Sequence, residues 1–464
     1  MLKKVGAGSF PQVESNVKSV AQYYYRLGNG GAERVVAALS SMFRSMEKQS
    51  TVFVGCEPDA DSYLLEDEVH LEVLPECLNE YPDPCVIRHR MERLKCCLSE
   101  FSVDAYVCHQ WVSPQSIWDL LLCKALGVRF ILVAHGVFSF SLANLLHQAH
   151  FWTMPYEVAL CDAVVCLSET NRFYYSKFNS NTFSLPNPLY EELRAMLRSS
   201  SKACDGERPI PSRYYPTILW VGRFEPGKHP EDAINAFKII VEAHPNARLL
   251  MLGKSEDGCY EATLQQRAIR AGVAEAVEFC GYSADVKDYY ERSDVFLFTS
   301  EMEGYPIVLL EAAAAGIPVV MYDLPYLATS GCSDWISVAP ICDIGAMAAR
   351  VVEIVGNPQR IANMSTAARR YAESLAQYDL AGAWGDVLSC GSRDDNVFES
   401  GEVEGVFWDT LFDHGAIRDW MTQLEFDDAR LDGESAVRRE FEASTSWKMG
   451  RLVTALPRRI LGRG

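Results

Sequence analysis

A predicted strand, loop and helix follow one another in Phe298-Thr-Ser-Glu-Met-Glu-Gly-Tyr-Pro-Ile-Val-Leu-Leu-Glu-Ala-Ala-Ala-Ala-Gly316. The segment from Asp294 to Thr299 predicts the end of a buried strand. Proline is favoured at the first helical position, because its ring presets φ and its missing N–H would be unpaired there. We therefore expect the helix to begin at Pro306, and Gly316 followed by Pro318 is a typical stop signal.

The loop between these two elements, Glu303-Gly304-Tyr305, has the features of an anion site. The unpaired N–H groups and the positive dipole end of the helix would point at it. Two carboxylates bracket the site, Glu303 in the loop and Glu311 in the helix, and sugar hydroxyls are natural donors to acids placed near a phosphate. The Glu-x7-Glu spacing suggests recognition of a nucleotide sugar, although two exposed surface charges fit the spacing alone equally well.

The composition indicates a large protein of the cytoplasm. Its 464 residues, 48% of them hydrophobic, are enough for about two to three domains. We find no run of about 18 apolar residues and no apolar signal-peptide core, so we expect neither a transmembrane helix nor secretion. The 15 cysteines form no Cys-x-x-Cys pair, which predicts buried thiols rather than disulfides or a zinc site. The net charge of −19 argues against binding of nucleic acid.

The N-terminal half alternates predicted strands with predicted helices, which indicates a parallel sheet covered on both faces. Its first strand, Ser19 to Leu27, ends in Gly28-Asn29-Gly30-Gly31, and a helix follows. This geometry lets backbone N–H groups approach a phosphate or a sugar, although a plain tight turn fits the motif as well. The other predicted strands run from Thr51 to Gly55, Ala105 to Cys108, Arg129 to Ala134 and Ala163 to Leu167, and the helices from Ile87 to Phe101 and Pro114 to Leu126.

Two histidines follow predicted strands in matching positions, His109 and His135. Ligands of such sheets bind outside the carboxyl ends of the strands, so both side chains are candidates for one cleft. A lone histidine is usually structural. The matching positions favour a functional role for His135.

A second α/β pattern begins at Thr217, after the proline- and serine-rich residues 190–216, which predict a linker. After its first strand comes Gly222-Arg-Phe-Glu-Pro-Gly-Lys228, in which Arg223 and Lys228 can face one ligand or form a surface pair. Arginine grips phosphate with a fork and lysine with a point charge, so together they can offset a diphosphate without a metal. The predicted strands run from Thr217 to Val221, Arg248 to Leu252, Val277 to Cys280 and Pro318 to Tyr322, and the helices from Pro230 to His244, Tyr260 to Ala271 and Val286 to Ser293.

The chain resembles a GT-B glycosyltransferase, most closely the large retaining family 4 of that class, over roughly residues 17–390. The resemblance rests on Gly30-Gly31-Ala-Glu-Arg34, Arg223, Lys228, Glu303 and Glu311. It implies two facing Rossmann-like domains with the active site in the cleft between them. The expected parts are an acceptor domain, 1–189; the linker, 190–216; a donor domain, 217–370; a helix crossing back, 371–390; and a C-terminal extension, 391–464.

The resemblance also implies a role for each matching residue. Arg223 and Lys228 would hold the donor diphosphate, Glu311 the ribose hydroxyls, and Glu303 the transferred sugar. Many relatives have glycine where this chain has Pro306, which lacks an N–H, so contacts there would come from neighbouring backbone. The remaining expected contacts are the backbone of Gly304, Tyr305 and Ile307 with the sugar, Gly30 and Gly31 over the phosphates, and His135 beside the sugar and acceptor.

The implied function is transfer of a sugar, with retention, from a nucleoside-diphosphate sugar to a sugar or lipid-linked acceptor in bacterial polysaccharide or glycolipid synthesis. Two alternatives keep the fold: an epimerase or small-acceptor synthase, and a catalytically silent sugar-nucleotide-binding subunit. We expect no cofactor and no metal. Asp59-Ala-Asp61 has the Asp-x-Asp spacing of metal-dependent transferases, but its polar, proline-containing surroundings favour a surface loop.

The C-terminal extension predicts a tether. Residues 394–442 hold 15 Asp and Glu against 4 Arg, which is typical of a partly disordered spacer. The end of the chain reverses sign, because residues 447–463 contain five basic residues and no acid. Met449, Val453, Leu456 and Ile460 share one helical face, so residues 444–464 suggest a peripheral contact with an anionic membrane on the cytoplasmic side, although docking on the protein's own acidic surface is an alternative.

Overall fold

The computed structural model describes residues 17–28, 30–59, 62–75, 84–110, 113, 115–137, 154–202, 215–255, 258–283, 285–324 and 334–390. Within these ranges, no helix combines the length and the apolar character needed to cross a membrane. The predicted tether and its basic segment lie outside the described residues.

Two parallel sheets organise the chain. The first has the strand order β3-β2-β1-β4-β5-β6-β7 and the second the order β10-β9-β8-β11-β12-β13. The central strands are buried along their whole length, as expected for parallel strands with helices on both faces. The first sheet comprises β1 Ser19–Tyr24, β2 Gln49–Val54, β3 His70–Val73, β4 Ala105–Cys108, β5 Arg129–Ala134, β6 Ala163–Cys166 and β7 Thr182–Ser184. The second comprises β8 Thr217–Val221, β9 Arg248–Leu252, β10 Val277–Gly281, β11 Val295–Phe298, β12 Val319–Tyr322 and β13 Ile336–Ala339.

The described helices alternate with these strands, as the sequence predicted. Those associated with the first sheet are α1 Gly31–Ser45, α2 Pro84–Glu100, α3 Ser116–Ala125, α4 Met154–Leu160 and α5 Glu169–Tyr175, with α6 Glu191–Lys202 between the sheets. Those of the second half are α7 Pro230–Ala243, α8 Cys259–Ala271, α9 Lys287–Glu291, α10 Ile307–Ala315, α11 Ile344–Val355, α12 Pro358–Ala376 and α13 Leu380–Ser389. Short 3₁₀ turns occupy Pro226–Lys228 and Ala274–Ala276.

The helix after the opening loop begins one residue later than predicted. Pro306 is extended, with φ −71° and ψ 113°, and is the N-cap of α10 rather than its first residue. The helix ends as predicted at Gly316, whose φ of 70° is the left-handed conformation that favours glycine.

The segment predicted as a linker, 190–216, begins with a helix that the sequence did not predict, because α6 occupies Glu191–Lys202. Its apolar residues Leu193, Met196 and Leu197 are spaced as one helical face and pack in the core of the second domain. The serine run that suggested a linker lies at the end of this helix. Residues 203–214 fall outside the described residues.

The predicted crossing-back helix is in fact divided between two helices. Its first part belongs to α12, where Ala372 packs in the core of the second domain. The crossing is made by α13, which begins after the N-cap Asp379. Trp384 of α13 packs edge-on to Phe43 at a centroid distance of 5.4 Å, inside the core formed by α1 and the first sheet.

Candidate active site

The candidate residues lie at or next to the points where strand order reverses in each sheet. β1 pairs with β4 in the first sheet, and β8 pairs with β11 in the second. Parallel α/β sheets bind ligands outside the carboxyl ends of strands at such points. Gly30 and Gly31 follow β1 and His135 follows β5, whereas Arg223 and Lys228 follow β8 and Glu303 follows β11.

The two sets of strand ends meet at Gly304. A Cβ atom placed on Gly304 would overlap the carbonyl oxygen of His135 and lie 2.8 Å from its carbonyl carbon. Only glycine permits such a close approach of backbone to backbone. The loop after β11 therefore rests on the end of β5, and Glu303 and His135 belong to one site.

Lys228 and Glu303 form an ion pair at this site. The 3₁₀ turn that carries Lys228 is anchored to the end of β11, because the Thr299 hydroxyl donates to the Lys228 carbonyl at 2.7 Å. The same Thr299 oxygen accepts a hydrogen bond of 2.9 Å from the Trp220 indole N–H. This buried chain of bonds fixes the ammonium beside the predicted sugar-binding carboxylate.

Arg223 is more exposed than Lys228, with 55% of its side chain accessible. Its Nη2 lies 3.1 Å from Oε1 of Glu225, so the guanidinium has a carboxylate partner of its own. The charge of Arg223 also influences a tyrosine of the first domain. Burial raises the pKa of Tyr24, the last residue of β1 in the first sheet, and the nearby Arg223 opposes part of that rise.

Glu311 is buried in a polar network that joins the two domains. Its Oε1 accepts from Nη1 of Arg34 at 3.0 Å and from the Tyr190 hydroxyl. Its Oε2 accepts from the Tyr290 hydroxyl at 2.9 Å. The Arg34 and Glu311 side chains are only 13% and 5% exposed. The predicted ribose acceptor thus holds three donors already.

Arg34 is further enclosed by aromatic rings. Its guanidinium carbon lies 4.1 Å from the centre of the Tyr190 ring and 4.8 Å from that of Tyr63. Burial alone would lower the pKa of Arg34, but Tyr190, Tyr63 and Glu311 outweigh burial and raise it. The side chain therefore stays positively charged between the domains.

Two helix N-termini also meet at the site. A Cβ atom on Gly31, the first residue of α1, would lie 3.6 Å from Cδ1 of Ile307, the first residue of α10. The N-cap residues, Gly30 and Pro306, provide no side-chain cap. The Glu33 carboxylate covers Gly30, with its Cδ 3.0 Å from a Cβ placed there, so the α1 terminus already faces an acid.

The Tyr305 side chain points into the second domain, which leaves only its backbone for the predicted contact. Its hydroxyl is hydrogen-bonded to Tyr371 of α12, and its ring packs in the core of the second domain. Burial raises its pKa well above the ordinary value.

His109 and His135 are stacked, with His109 Nδ1 and His135 Nε2 2.8 Å apart. His109 Nε2 lies 3.1 Å from Oε1 of Gln22. Burial lowers the pKa of both rings, to about 4 for His135, and for His109 well below its ordinary value with a further contribution from His135. Both imidazoles are neutral near neutral pH.

Several residues of this site received no role from the sequence. Arg34 stood in the glycine motif, but its partner Glu311 is 277 residues away in the chain. Tyr190 and Tyr290 lie in stretches that predicted a linker and a helix, and neither tyrosine was given a role. The sequence alone could have indicated Arg34, because a cation that follows a glycine turn at the end of a strand is a candidate for the cleft that this turn borders.

The Asp-x-Asp candidate lies in a surface turn as far as it is described. Asp59 Oδ1 accepts from the Ser62 hydroxyl at 3.0 Å, and Asp61 is outside the described residues. The described ranges contain no cluster of three or more His, Cys, Asp or Glu side chains able to hold a metal.

Family models match both halves of the chain. The model "Glycosyltransferase Family 4" matches residues 29–188, and "Glycosyl transferases group 1" matches residues 209–371. The chain belongs to the GT-B glycosyltransferases of the family 4 type.

Curated relatives agree with this family. The chain is 26% identical over 209 residues to an uncharacterised glycosyltransferase of Haemophilus influenzae, covering 45% of this chain and 54% of the relative. It is 29% identical over 187 residues to D-inositol 3-phosphate glycosyltransferase 2 of Catenulispora acidiphila, covering 38% and 44%. The chain thus spans about half the length of these curated relatives.

Solved structures share the fold at low identity. Anabaena Alr3699/HepE in complex with UDP superposes with a TM-score of 0.62 at 15% identity, covering 80% of this chain and all of the other. Sucrose-phosphate synthase from Thermosynechococcus elongatus gives 0.63 at 18% identity, covering 79% and 97%.

The Arg34–Glu311 pair predicts an unequal cost for two arginine substitutions. Arg34→Ala leaves the buried Glu311 carboxylate without its cation, so we expect a loss of about 3 kcal/mol in the free energy of unfolding, measured in urea. Arg26→Ala is the matched control. Its partner Glu33 is 3.4 Å away and Arg26 is 39% exposed, so we expect at most about 1 kcal/mol.

The double variant Arg34→Ala/Glu311→Gln removes the stranded charge and should recover part of the loss. Equal losses of stability for Arg34→Ala and Arg26→Ala would contradict a buried inter-domain ion pair. So would the absence of any recovery in the double variant.

Proposed function

We propose that this glycosyltransferase moves a sugar, with retention, from a nucleoside-diphosphate sugar to a hydroxyl of a sugar or lipid-linked acceptor in cell-surface polysaccharide or glycolipid synthesis. The observation that carries the proposal is the contact of Gly304 with the His135 carbonyl, which brings His135 after β5 to the loop of Glu303, whose carboxylate is paired with Lys228 after β8. Phosphate and sugar groups then have complementary partners in one place.

The cations suit a diphosphate leaving group. Lys228 and Arg223 stand at one switch point, and the N-termini of α1 and α10 add positive dipole ends. Positive charge fixed in advance where negative charge develops is often the largest contribution to catalysis. The acceptor oxygen attacks the anomeric carbon, the bond to the diphosphate oxygen breaks, and that oxygen receives the acceptor's proton.

Glu303 suits the sugar because it lies in the loop that touches His135. Its carboxylate can accept from sugar hydroxyls while Lys228 turns to the phosphates. Contacts that strengthen only as charge develops raise turnover rather than affinity.

Glu311 can accept hydrogen bonds from the ribose hydroxyls if one of its three present hydrogen-bond donors moves away. An ionised carboxylate has about four acceptor positions, and Arg34, Tyr190 and Tyr290 use three. Two ribose hydroxyls need two positions. Arg34 is the donor that yields, because it comes from the opposite domain and keeps some solvent exposure.

The donor panel should begin with uridine nucleotides. Structures of the neighbour HepE contain UDP and UDP-glucose, and TarM of Staphylococcus aureus was solved with UDP. Purified protein with UDP-, GDP- and ADP-sugars should hydrolyse or transfer at least one. Glu303→Gln should lower kcat roughly ten- to hundred-fold with little change in KM, because it touches the transferred group.

Glu301→Gln is the matched control for that substitution. Glu301 is two residues away, 45% exposed and beside His229 at 3.3 Å, so turnover should be unchanged. Binding of a nucleotide sugar without turnover would instead indicate a silent subunit. Interconversion of two sugars without transfer would indicate an epimerase.

We further propose that turnover needs no metal, because Lys228, Arg223 and two helix N-termini supply the positive charge. Activity should persist in excess chelator, measured as released nucleoside diphosphate. Collapse in chelator with recovery in Mn²⁺ or Mg²⁺ would contradict this and would redirect attention to Asp59 and Asp61.

We also propose that residues 444–464 bring the enzyme to an anionic membrane surface. This rests on the sequence pattern of Met449, Val453, Leu456 and Ile460 with its five basic neighbours. Full-length protein should sediment with anionic liposomes at low salt, whereas protein truncated after Glu442 should not. Equal binding by both, or none by either, would exclude the tether.

A further inference from the structure

A chain of buried hydrogen bonds runs from His135 back to the backbone of α1. His135 Nε2 meets His109 Nδ1, and His109 Nε2 meets Oε1 of Gln22. Gln22 Nε2 in turn contacts the Val36 carbonyl at 3.1 Å and the Ser40 hydroxyl at 2.8 Å. His109 and Gln22 are almost fully buried, and His135 is half-buried.

The Val36 carbonyl fixes the direction of the Gln22 amide. A carbonyl oxygen only accepts hydrogen bonds, so the amide must present its NH₂ group to Val36. The Ser40 hydroxyl donates to the same carbonyl at 2.9 Å and therefore accepts from Gln22 Nε2. The Gln22 oxygen is left to face His109.

The direction of that amide sets the proton positions on both histidines. Gln22 Oε1 accepts, so His109 carries its proton on Nε2 and, being neutral, has a lone pair on Nδ1. His135 must then donate from Nε2, which leaves its own Nδ1 unprotonated. Within the described residues, that Nδ1 forms no hydrogen bond.

The rings stay neutral because burial lowers the pKa of each. Among the described residues, Tyr24 is a titratable neighbour of this pair, with its ring centre 6.4 Å from that of His135, and Glu303 lies in the loop that contacts the His135 carbonyl. Tyr24 stays uncharged, because burial raises its pKa.

We propose that Gln22 and His109 are positioning residues that hold His135 in the tautomer protonated on Nε2, so that its Nδ1 accepts a hydrogen bond from a hydroxyl of the transferred sugar. The proposal rests on the proposed function for the identity of the donor group. The His135 carbonyl touches Gly304, so this residue adjoins the loop that carries Glu303. A sugar hydroxyl is the complementary ligand, because a bare Nδ1 lone pair accepts and cannot donate.

The tautomer is measurable without any substrate. Long-range proton–nitrogen correlation spectra of protein labelled with ¹⁵N-histidine distinguish protonated from unprotonated ring nitrogens, and His109→Gln and His135→Gln assign the two rings among the nine histidines. We expect both rings to be protonated on Nε2 alone between about pH 5.5 and 8. A His135 protonated on Nδ1 would overturn the proposal whatever the enzyme's activity.

Two variants separate tautomer control from packing. Gln22→Met replaces the amide with a side chain of similar length that has no carbonyl acceptor. His109 is then no longer held in one tautomer, so His135 should become a mixture of tautomers. Ser40→Ala removes a partner of the same amide but keeps the Val36 carbonyl that orients it, so the His135 tautomer should not change. A single unchanged tautomer in Gln22→Met, or equal disturbance in both variants, would overturn the proposal.

The rate of turnover is a second readout, measured with whichever nucleotide sugar of the donor panel the enzyme uses. Gln22→Met should lower kcat roughly three- to ten-fold with KM nearly unchanged, and Ser40→Ala should retain wild-type kcat. Equal kcat for Gln22→Met and wild type would overturn the role of the tautomer in turnover. Failure of every sugar in the panel would contradict the proposed function, while the spectra would still report the tautomer.

Discussion

The contact between Gly304 and the His135 carbonyl is the constraint on which the site depends. Each sheet alone places its functional residues at its own strand ends, as parallel sheets do. Those ends become one site only because the loop after β11 carries no side chain at the point of contact. A Cβ there would displace the loop, and with it Glu303 and the start of α10. A single glycine thus turns two separate switch points into a cleft.

The ion pair between Arg34 and Glu311 holds the same two halves together a short distance away. Its members come from α1 and α10, whose first residues face each other. Removing two charges from water is costly, and the cost is offset here by three hydrogen bonds to one carboxylate and by two rings around the guanidinium. The domains therefore meet through a polar contact with specific geometry, which a ligand with hydroxyl groups can enter by exchange.

Much of the fold could be predicted from the sequence, because the strong signals were local. β4, β5, β8 and β9 have the predicted bounds, since each is a short apolar run between turn residues. The family resemblance supplied the pairing of the two domains. Two predictions failed at the ends of helices. The serines at the end of α6 concealed an amphipathic helix, and Pro306, with an extended ψ of 113°, is the N-cap of α10 instead of its first residue.

The polar networks of the site were harder to predict, because they join residues distant in sequence. Nothing near Glu311 indicates that Arg34 and Tyr190 would reach it, and nothing near His135 indicates that Gln22 orients it through His109. The sequence placed His135 correctly at a strand end. Its proton position, which determines what it can bind, required the buried amide and its carbonyl partner.

These networks share a consequence for the ligand. Lys228 is paired with Glu303, Arg223 with Glu225 and Arg34 with Glu311, and the N-terminus of α1 faces Glu33. An anion that took the cations alone would leave carboxylates without partners in a partly buried site, which is unfavourable. Under the proposed function a nucleotide sugar would avoid this cost, because its phosphates would replace the carboxylates at the cations while its ribose and sugar hydroxyls would donate to the carboxylates released. The paired charges therefore favour a ligand that carries both kinds of group over a bare diphosphate.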